Sequence, residues 1–454
     1  MAATGDRSEL DRFLEQHPDI DVVDAIYSDL CNLWRGKRIS RDDAAKIYDQ
    51  GLPVAGAMFL LDVTGDTSDP GGRGLSDGDP DDLGRPVAGS LVPVPWATRP
   101  TAQVLIDVFH LDGRPYDASP RQLLAKVAQR IHDRGWRPLI AAELEFYLID
   151  PKRSADGAPQ QPILPGSGER ASSRQVYSMA DLDDYGPFIE EVTRACAAQN
   201  IPANVASSEY APGQMEINLR HGDDPVVAAD HAVLLQRVVM ALAPKHGMRA
   251  TFMAKPFPDE EGSGLHYHVS LPDTDGNNLF DDGSQLGSET MRHAIGGMKE
   301  LAPESAAIFL PNINSYRRVF AGSYSAGSFS WGDNNRTTSI RLPVGDGKAK
   351  RLEHRIAGAD ANPYLTLAAI LAGLEHGIVN QIDPGPPQEG DRQQETGDMP
   401  SNWRDALAAM KNGDHLADYL GRDYIDLYLA TKRAEMDRFL AIPSALEFSW
   451  YLGG

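Results

Sequence analysis

Cysteine is nearly absent from this sequence, because its 454 residues include only Cys31 and Cys196. Two cysteines without paired spacing exclude a disulfide scaffold and a cysteine zinc site, and they favour a reducing compartment. Long hydrophobic runs are missing too, since the longest nearly apolar stretch, Leu365 to Leu374, is about half of what a bilayer needs. No apolar segment follows the first charged residues, so we expect no secretory signal. The composition predicts a cytoplasmic globular protein that does not bind a membrane.

Basic residues are scarce compared with acidic ones. Lys and Arg total 43, against 65 Asp and Glu, which gives a formal net charge of −22. That balance argues against nucleic acid as a partner, because phosphate-binding proteins concentrate Lys and Arg. A negative field instead favours a cationic small molecule. Hydrophobic residues make up 41% of the chain, which is enough for one large domain or for two to three smaller ones.

The chain divides into two predicted domains, with a boundary near residues 112–116. Residues 1–115 suggest a small mixed domain, in which Ser40 and Asp43 are typical of a capping box for the helix Arg41 to Gln50. The run from Gly65 to Pro86, rich in Gly, Asp and Pro, predicts a solvated surface loop. Residues 116–454 alternate strand-like and helical stretches, so we expect one large α+β unit.

The most informative feature is a set of five predicted strands whose polar residues recur at period two. Their polar faces are Glu143, Glu145 and Tyr147; Gln214, Glu216 and Asn218; His266, His268 and Ser270; Ser339 and Arg341; and Arg351, Glu353 and Arg355. Taken singly, each is an ordinary half-exposed antiparallel strand. Taken together, they carry carboxylates, imidazoles and guanidiniums almost exclusively, and so predict one concave sheet with chemistry on it.

A cavity lined by these strands would hold about five carboxylates, which would repel each other and take up protons if unpaired. They are Glu143, Glu145, Glu209, Glu216 and Glu353. Oxygen-rich sites with one imidazole suit Mg²⁺ or Mn²⁺ better than Zn²⁺. Two divalent ions would leave the arginines at positions 318, 336, 341 and 355 free to bind phosphate and carboxylate. This pattern predicts a metal-dependent, nucleotide-using enzyme and leaves the acceptor open.

Eight motifs follow one another in order along the chain. They are Glu143-Leu-Glu145, Glu209 with Pro212-Gly-Gln-Met-Glu216, Lys255-Pro256, Gly262-Ser-Gly-Leu-His266-Tyr-His268, Asn314-Ser-Tyr-Arg-Arg318, Asn335-Arg336, Ser339-Ile-Arg341 and Glu353-His-Arg355. At these motifs the chain resembles the glutamine synthetase family. Further stretches resemble its gamma-glutamylputrescine synthetase branch, among them Gln175-Val-Tyr-Ser178, Ser330-Trp-Gly332 and Ala357-Gly-Ala-Asp-Ala-Asn-Pro-Tyr364.

The resemblance implies an α+β fold. It consists of an N-terminal β-grasp domain, residues 1–115, and a catalytic domain, residues 116–454, with a concave antiparallel sheet flanked by helices. It also implies a homododecamer of two stacked hexameric rings, with active sites between neighbouring subunits. The implied reaction has two steps: ATP phosphorylates the γ-carboxylate of glutamate, and a primary amine then displaces phosphate to leave an amide.

The resemblance also implies a role for each matching residue. The ion nearer the amino acid would be bound by Glu145, Glu209 and Glu216, and the ion facing the nucleotide by Glu143, His266 and Glu353. The implied cofactor is Mg²⁺ or Mn²⁺, two to three ions per site, with ATP as co-substrate. Catalytic roles fall to Arg336, Arg341 and Glu209. Substrate binding falls to Arg318, Arg355, Gly262, Glu145, Tyr177 and Tyr324, and nucleotide binding to His268, Ser270, Arg341 and Arg351.

Departures from the family pattern concern the acceptor. True glutamine synthetases carry an Asp where this chain has Ala55, a flap Glu where it has Tyr324, and an Asn where it has Glu261. Because ammonium has a pKa near that of a lysine amine, about 10, it needs an acidic pocket and a base. Losing two of its anionic groups favours a carbon-bearing amine, with Tyr177 as a wall of the pocket and Trp331 either lining it or packed in the core.

We therefore expect a glutamate–amine ligase of polyamine catabolism, with putrescine or a related polyamine as the favoured acceptor. Ethanolamine, a monoamine or ammonium are the alternatives within the family. An ATP:guanidino phosphotransferase is disfavoured by the glutamate-binding arginines, Arg318 and Arg355. A non-catalytic relative is disfavoured because all six implied metal ligands are present.

Overall fold

The structure is a computed structural model that describes residues 4–319, 328–391 and 399–453. The helices in these ranges are α1 (Arg7–Gln16), α2 (Arg41–Gln50), α3 (Pro120–Asp133), α4 (Met179–Asp184), α5 (Gly186–Ala198), α6 (Pro225–Leu242), α7 (Glu289–Phe309), α8 (Pro363–Asn380), α9 (Trp403–Asn412), α10 (His415–Leu420), α11 (Arg422–Ala441) and α12 (Ala445–Tyr451). The strands are β1 (Val22–Ser28), β2 (Trp34–Ser40), β3 (Leu52–Ala55), β4 (Asp81–Pro86), β5 (Val92–Pro93), β6 (Thr101–Phe109), β7 (Leu139–Ile149), β8 (Ala203–Ser208), β9 (Gln214–Leu219), β10 (Arg249–Thr251), β11 (Leu265–Ser270), β12 (Trp331–Asp333), β13 (Ile340–Leu342) and β14 (Leu352–His354).

The N-terminal part is built on a six-stranded sheet in the order β2-β1-β6-β4-β3, with β5 paired to β6. Strands β1 and β6 run parallel, from Val22 opposite Thr101, while the other pairs are antiparallel. The helix predicted after Ser40 is α2, and the Ser40 side chain accepts a hydrogen bond from the Asp43 amide as a helix cap does.

The predicted loop from Gly65 to Pro86 is wrong at its end, where residues 81–86 form β4. This strand lies inside the sheet and pairs with both β3 and β6. Its Asp, Gly and Pro content is typical of turns, so no local signal separates it from the loop before it. Gly84 fits because an added Cβ would lie 2.6 Å from the Ile106 side chain. Pairing on both sides overrides the low strand propensity.

The five strands predicted from their polar faces are confirmed, and all lie in one eight-stranded sheet. Its order is β12-β13-β14-β11-β7-β9-β8, and β10 pairs with the end of β7. The pairs are antiparallel except for β12 with β13. Of the acidic and basic residues that the sequence singled out, the strands of this sheet carry Glu143, Glu145, Glu216, His266, His268, Arg341 and Glu353. Glu209, Arg351 and Arg355 adjoin the ends of its strands, and Arg318 and Arg336 lie in turns. The α+β fold predicted from the sequence is also confirmed.

Helices α3, α6, α7 and α8 pack together, and α6 also packs against β7. The stretch Pro225–His246, which includes α6, is long and apolar enough to cross a membrane by length and composition alone, but 72% of that window is buried inside the protein. Helix α6 is therefore a core helix of the protein. Helix α11 reaches the N-terminal part, where the Thr431 hydroxyl donates to the Leu60 carbonyl at 3.2 Å. One hydrophobic core spans both sheets, and the division between residues 115 and 116 stays a prediction.

Candidate active site

Three rows of polar side chains cross the eight-stranded sheet, because residues directly opposite on antiparallel strands share a face. The rows are Arg341, Glu353 and His268; His266, Glu143 and Asn218; and Glu145, Glu216 and Ser207. Residues two apart on a strand also share a face, so Glu143 and Glu145 join the last two rows on β7. The registry thus brings together carboxylates that lie up to 210 positions apart in the sequence, from Glu143 to Glu353.

His266 lies at the centre of this cluster. Its side chain is buried, and neither ring nitrogen makes a hydrogen bond within the described residues. Nδ1 is 3.5 Å from Glu143 Oε2 and 3.8 Å from Glu353 Oε1, and Nε2 is 3.9 Å from Glu145 Oε1. Buried polar atoms are normally paired, and these distances are too long for hydrogen bonds. A cation bound between the imidazole and the carboxylates would satisfy them.

Two overlapping ligand sets have all their donor atoms within 4.8 Å of one another. One is Glu143, Glu216 and His266, and the other is Glu143, His268 and Glu353. Carboxylate oxygens with a single imidazole suit Mg²⁺ or Mn²⁺. The residues present therefore fit the divalent ions that the sequence predicts, while the division of ligands between two ions stays a prediction.

The carboxylates differ strongly in proton affinity. Burial, together with the charge of Glu145, raises the pKa of Glu209 to about 8. Burial and the carboxylates of Glu143, Glu145 and Glu209 raise the pKa of Glu216 to about 9. Burial would also raise the pKa of Glu143, but the imidazoles of His266 and His268 outweigh it and hold that pKa well below its usual range. Without a bound metal, the carboxyl groups of Glu209 and Glu216 are therefore protonated near neutral pH.

Metal binding should therefore release protons. Near pH 7 the metal-free protein carries protons on Glu209 and Glu216, which must leave when the carboxylates bind a cation. We expect the affinity for Mg²⁺ to rise with pH and the release of up to two protons to fade above about pH 9. Calorimetric titration in two buffers of different ionisation enthalpy measures the proton count. Glu209→Gln should remove one of the released protons, and a proton count of zero at pH 7 would contradict the assignment.

Arginines flank the acidic cluster on β13 and just after β14. Arg341 Nη1 donates to Glu353 Oε2 at 2.9 Å, and its Nη2 donates to Asn334 at 2.8 Å. Arg355 binds the other oxygen of the same carboxylate. Burial would raise the pKa of Glu353, but the Arg355 guanidinium and the nearby imidazoles lower it to about 2. Glu353 is therefore ionised at all physiological pH values, ready to bind a cation.

Arg318 is buried against a stretch of glycine-rich backbone. Its Nη1 donates to the Ile356 carbonyl at 2.8 Å, and burial lowers its pKa. A Cβ added at Gly262 would lie 2.6 Å from Arg318 Cγ, and one added at Gly264 would lie 2.5 Å from Arg318 Nη2. Only glycine allows the backbone to approach the guanidinium this closely. This explains physically why the motif around Gly262 lacks side chains at those two positions.

Arg336 lies in the exposed turn between β12 and β13. Its positive charge acts on the Glu209 carboxylate, where it opposes the effect of burial on the pKa. Arg341 donates a hydrogen bond to Glu353. Within the described residues, Arg336 donates no hydrogen bond to a side chain or carbonyl.

Three of the four predicted nucleotide-binding residues, His268, Ser270 and Arg351, border a cavity of about 300 Å³, whereas Arg341 is not part of its lining. Its lining includes Glu143, His268, Ser270, Lys348 and Arg351. His268 Nε2 lies 2.8 Å from Glu143, and Arg351 Nε donates to His268 Nδ1 at 3.3 Å. The Ser270 hydroxyl donates to the Lys350 carbonyl at 3.1 Å. Sequence reasoning missed Lys348, although the basic run 348–351 was a signal for it.

The residues predicted to form the amine pocket are only partly brought together. Tyr177 is exposed and its amide donates to Ser208, one residue before Glu209. Ala55 lies on β3, an edge strand of the other sheet. Trp331 is buried and donates its indole N–H to Gly385, which makes it a core residue. Tyr324 lies outside the described residues.

The backbone at Glu261 is hydrogen-bonded to side chains of β7 and β9, the strands that carry Glu143, Glu145 and Glu216. The buried Tyr147 hydroxyl donates to the Glu261 carbonyl at 2.6 Å, and the Gln214 amide donates to Gly262 at 3.1 Å. The neighbouring Glu260 is paired with Arg174 at 2.8 Å. Within residues 4–319, 328–391 and 399–453, no basic side chain pairs with the Glu261 carboxylate. Tyr147 and Gln214 were placed on the polar faces, but sequence reasoning did not give them this role.

Comparison with known proteins agrees with this geometry. The family described as "Glutamine synthetase, catalytic domain" matches residues 117–451. The chain belongs to the glutamine synthetase family. The resemblance found in the sequence motifs is thereby confirmed.

Two curated relatives and one solved structure are similar over most of their lengths. Gamma-glutamylputrescine synthetase PuuA of Escherichia coli (strain K12) is 39% identical over 98% of this chain and 94% of the relative. Glutamate–isopropylamine ligase of a Pseudomonas species is 37% identical over 83% of this chain and 81% of the relative. The solved structure of apo GmaS without ligand has a TM-score of 0.83 at 30% identity and covers 97% of this chain and 98% of that chain.

Proposed function

We propose that this protein is an ATP- and divalent-metal-dependent glutamate–amine ligase that acts on putrescine or a related polyamine. The observation that carries the reaction class is the cluster of Glu143, Glu145, Glu216, His266 and Glu353 with arginines beside it. The similarity to gamma-glutamylputrescine synthetase supports the acceptor. The cofactor is Mg²⁺ or Mn²⁺ in two to three ions per site, and the compartment is the cytoplasm.

The chain's own residues divide the work in two steps. When bound, the divalent ions neutralise the carboxylates and lower the charge on the transferring phosphoryl group. Arg318 and Arg355 bind the glutamate carboxylate, while Arg336 and Arg341 stabilise the γ-phosphoryl group as it moves from ATP to the glutamate γ-carboxylate. The amine nitrogen then attacks the acyl carbon, loses a proton, and expels phosphate, which leaves an amide.

A polyamine acceptor agrees with the charge around the site. The protein has a net charge of −22, which raises the local concentration of a polycation. Glu261 offers a carboxylate without a basic partner in the described ranges, and it lies beside the backbone that packs on Arg318. Ala55 carries no charge at the position where the ammonium pocket of a true glutamine synthetase has an Asp. Ala55 is on β3, which belongs to the other sheet. We therefore propose a dodecameric ring assembly in which Ala55 lines the amine pocket of a neighbouring subunit.

The test is phosphate release from ATP with glutamate and Mg²⁺, run in parallel with putrescine, spermidine, ethanolamine, isopropylamine and ammonium. Release that depends on glutamate and on a polyamine, with little on ammonium, supports the proposal. Preference for ammonium would identify a true glutamine synthetase and refute the roles of Ala55 and Tyr324. Preference for isopropylamine or ethanolamine would keep the ligase and change the acceptor.

Replacing Glu261 should separate amine binding from glutamate binding. Glu261→Asn restores the family's usual residue and removes the unpaired carboxylate, so we expect the KM of the diamine to rise about tenfold, roughly the 1.4 kcal/mol of one charge-assisted contact. The KM of ATP should not change. If the KM of glutamate rises instead, Glu261 contacts the α-amino group. Glu260→Gln, which removes the carboxylate held by Arg174, is the matched control.

A further inference from the structure

A second cluster of metal-binding side chains lies on the helices, separate from the sheet. It consists of Glu300 on α7, His376 on α8 and His415, the first residue of α10. Their donor atoms all lie within 4.8 Å of one another. None of the three takes part in the rows of the eight-stranded sheet. We propose that Glu300, His376 and His415 form a zinc site that fastens α10 to α7 and α8.

The distances in this cluster fit a shared metal better than hydrogen bonds. Glu300 Oε1 is 3.5 Å from His415 Nε2 and 3.7 Å from His376 Nε2. Hydrogen bonds between such atoms span about 2.7–3.2 Å. Two ligands bound tetrahedrally to Zn²⁺, each at about 2.0–2.2 Å, are separated by roughly 3.3–3.6 Å. The two imidazole rings lie 4.9 Å apart and are tilted by 45°, so a small rotation closes the site.

The surroundings orient His376 for this role. Its side chain is largely buried, and its Nδ1 lies 3.2 Å from the Tyr419 hydroxyl and 3.4 Å from the Asn380 amide nitrogen. The hydroxyl can accept a hydrogen bond from Nδ1–H, in the tautomer that leaves Nε2 unprotonated for a metal. Metal-bound histidines usually donate the other ring N–H to such a partner. Tyr419 is itself fixed beneath the Arg130 guanidinium, 4.6 Å from the ring centre. The contact with Tyr419 therefore fixes the His376 ring with Nε2 facing Glu300.

The backbone of α10 is already tied to α7 next to the cluster. The amide of Leu416 donates to the Glu304 carboxylate at 2.8 Å, one helical turn from Glu300. This bond holds His415 over α7 before any ion binds, so little order has to be gained on binding. Glu300 and His415 are 40% and 48% exposed, which leaves a path for the ion and room for a water as fourth ligand. Two imidazoles and one carboxylate select zinc over the hard cations of the sheet.

The test uses full-length protein stripped with a chelator and kept in excess Mg²⁺, which occupies the oxygen-rich sheet site. Equilibrium dialysis with Zn²⁺ should show a site whose affinity falls at least about 100-fold in His415→Ala and in Glu300→Gln, since losing a ligand exceeds the 10- to 100-fold effect of its supporting partners. Both side chains are half-exposed, so the fold should survive. His17→Ala, which removes a half-buried histidine directly after α1, should bind zinc as the parent does.

Two further variants decide where the ion binds. His266→Ala disrupts the sheet cluster and should keep this zinc site, whereas His415→Cys should keep zinc and give a sulfur-to-metal absorption band with Co²⁺. If zinc binding is unchanged in His415→Ala, or is lost in His266→Ala, the ion binds the sheet and the proposal is wrong. Absence of zinc binding in the parent protein would overturn it as well.

Discussion

His266→Ala should reduce turnover by about 100-fold or more, because it removes an imidazole that lies within 4 Å of one carboxylate from each of the three polar rows. Its ring is 3.5 Å from Glu143, 3.8 Å from Glu353 and 3.9 Å from Glu145. Without it, these like charges face one another with one ligand fewer for the cation. The Mg²⁺ concentration for half-maximal activity should rise with the loss, and high Mg²⁺ should restore part of the activity. Steady-state kinetics over a Mg²⁺ series measures both.

The matched control is His246→Ala. His246 also pairs with a carboxylate, Glu191, at 2.7 Å, but it lies outside the three rows. It should keep parent activity and the parent Mg²⁺ requirement. Turnover within about fivefold of the parent in His266→Ala, with an unchanged Mg²⁺ curve, would remove His266 from the ligand set. Thermal unfolding with and without Mg²⁺ separates metal loss from misfolding, because only metal loss removes the stabilisation by Mg²⁺.

Alternation along single strands made much of this site predictable. In β14 the period of two places Glu353 on the polar face and sends His354 to the other side. His354 is accordingly buried with its ring 4.5 Å from Phe309, and burial lowers its pKa to about 3. Two neighbouring residues of one motif thus face opposite sides, one as a predicted cation ligand and the other as a neutral core residue.

Long-range pairing was not predictable from the residues alone. The pairing of Glu145 with Glu216, and of His266 with Glu143, depends on the register between strands that are far apart in the chain. A shift by one residue would turn every polar side chain to the other face. The periodicity of a single strand does not say which strands pair. The order of the motifs along the chain, through the family resemblance, indicated which residues share one site.

Two other features carry no local signal. The sequence of β4 is typical of a turn-rich loop, and it forms a strand because β3 and β6 pair with it on both sides. The cluster of Glu300, His376 and His415 joins three helices whose sequences give no metal-binding spacing, so only tertiary packing reveals it. In both cases the deciding interaction is with residues distant in sequence, and local propensity is a weak guide.

Arg336→Ala should lower kcat by on the order of 100-fold or more, as the loss of one charge-stabilising donor does. The side chain is exposed in the turn before β13 and its charge acts on Glu209. Arg341, which shares this role, already binds Glu353, so its charge is divided between that carboxylate and the phosphoryl group. Arg336 makes no such ion pair within the described residues, so we expect it to contribute the larger share of the stabilisation. Because its role lies in the transition state, kcat should fall with little change in the KM of ATP.

Arg336→Lys separates charge from geometry. Lysine keeps the positive charge but loses the planar fork, so its kcat should lie between the values of the parent and the alanine variant. Arg12→Ala, which removes an exposed arginine on α1, is the matched control and should not change turnover. Assays at saturating Mg²⁺ exclude an indirect effect through protonation of Glu209. A loss below about fivefold in Arg336→Ala would remove Arg336 from this role and leave phosphoryl stabilisation to Arg341 alone.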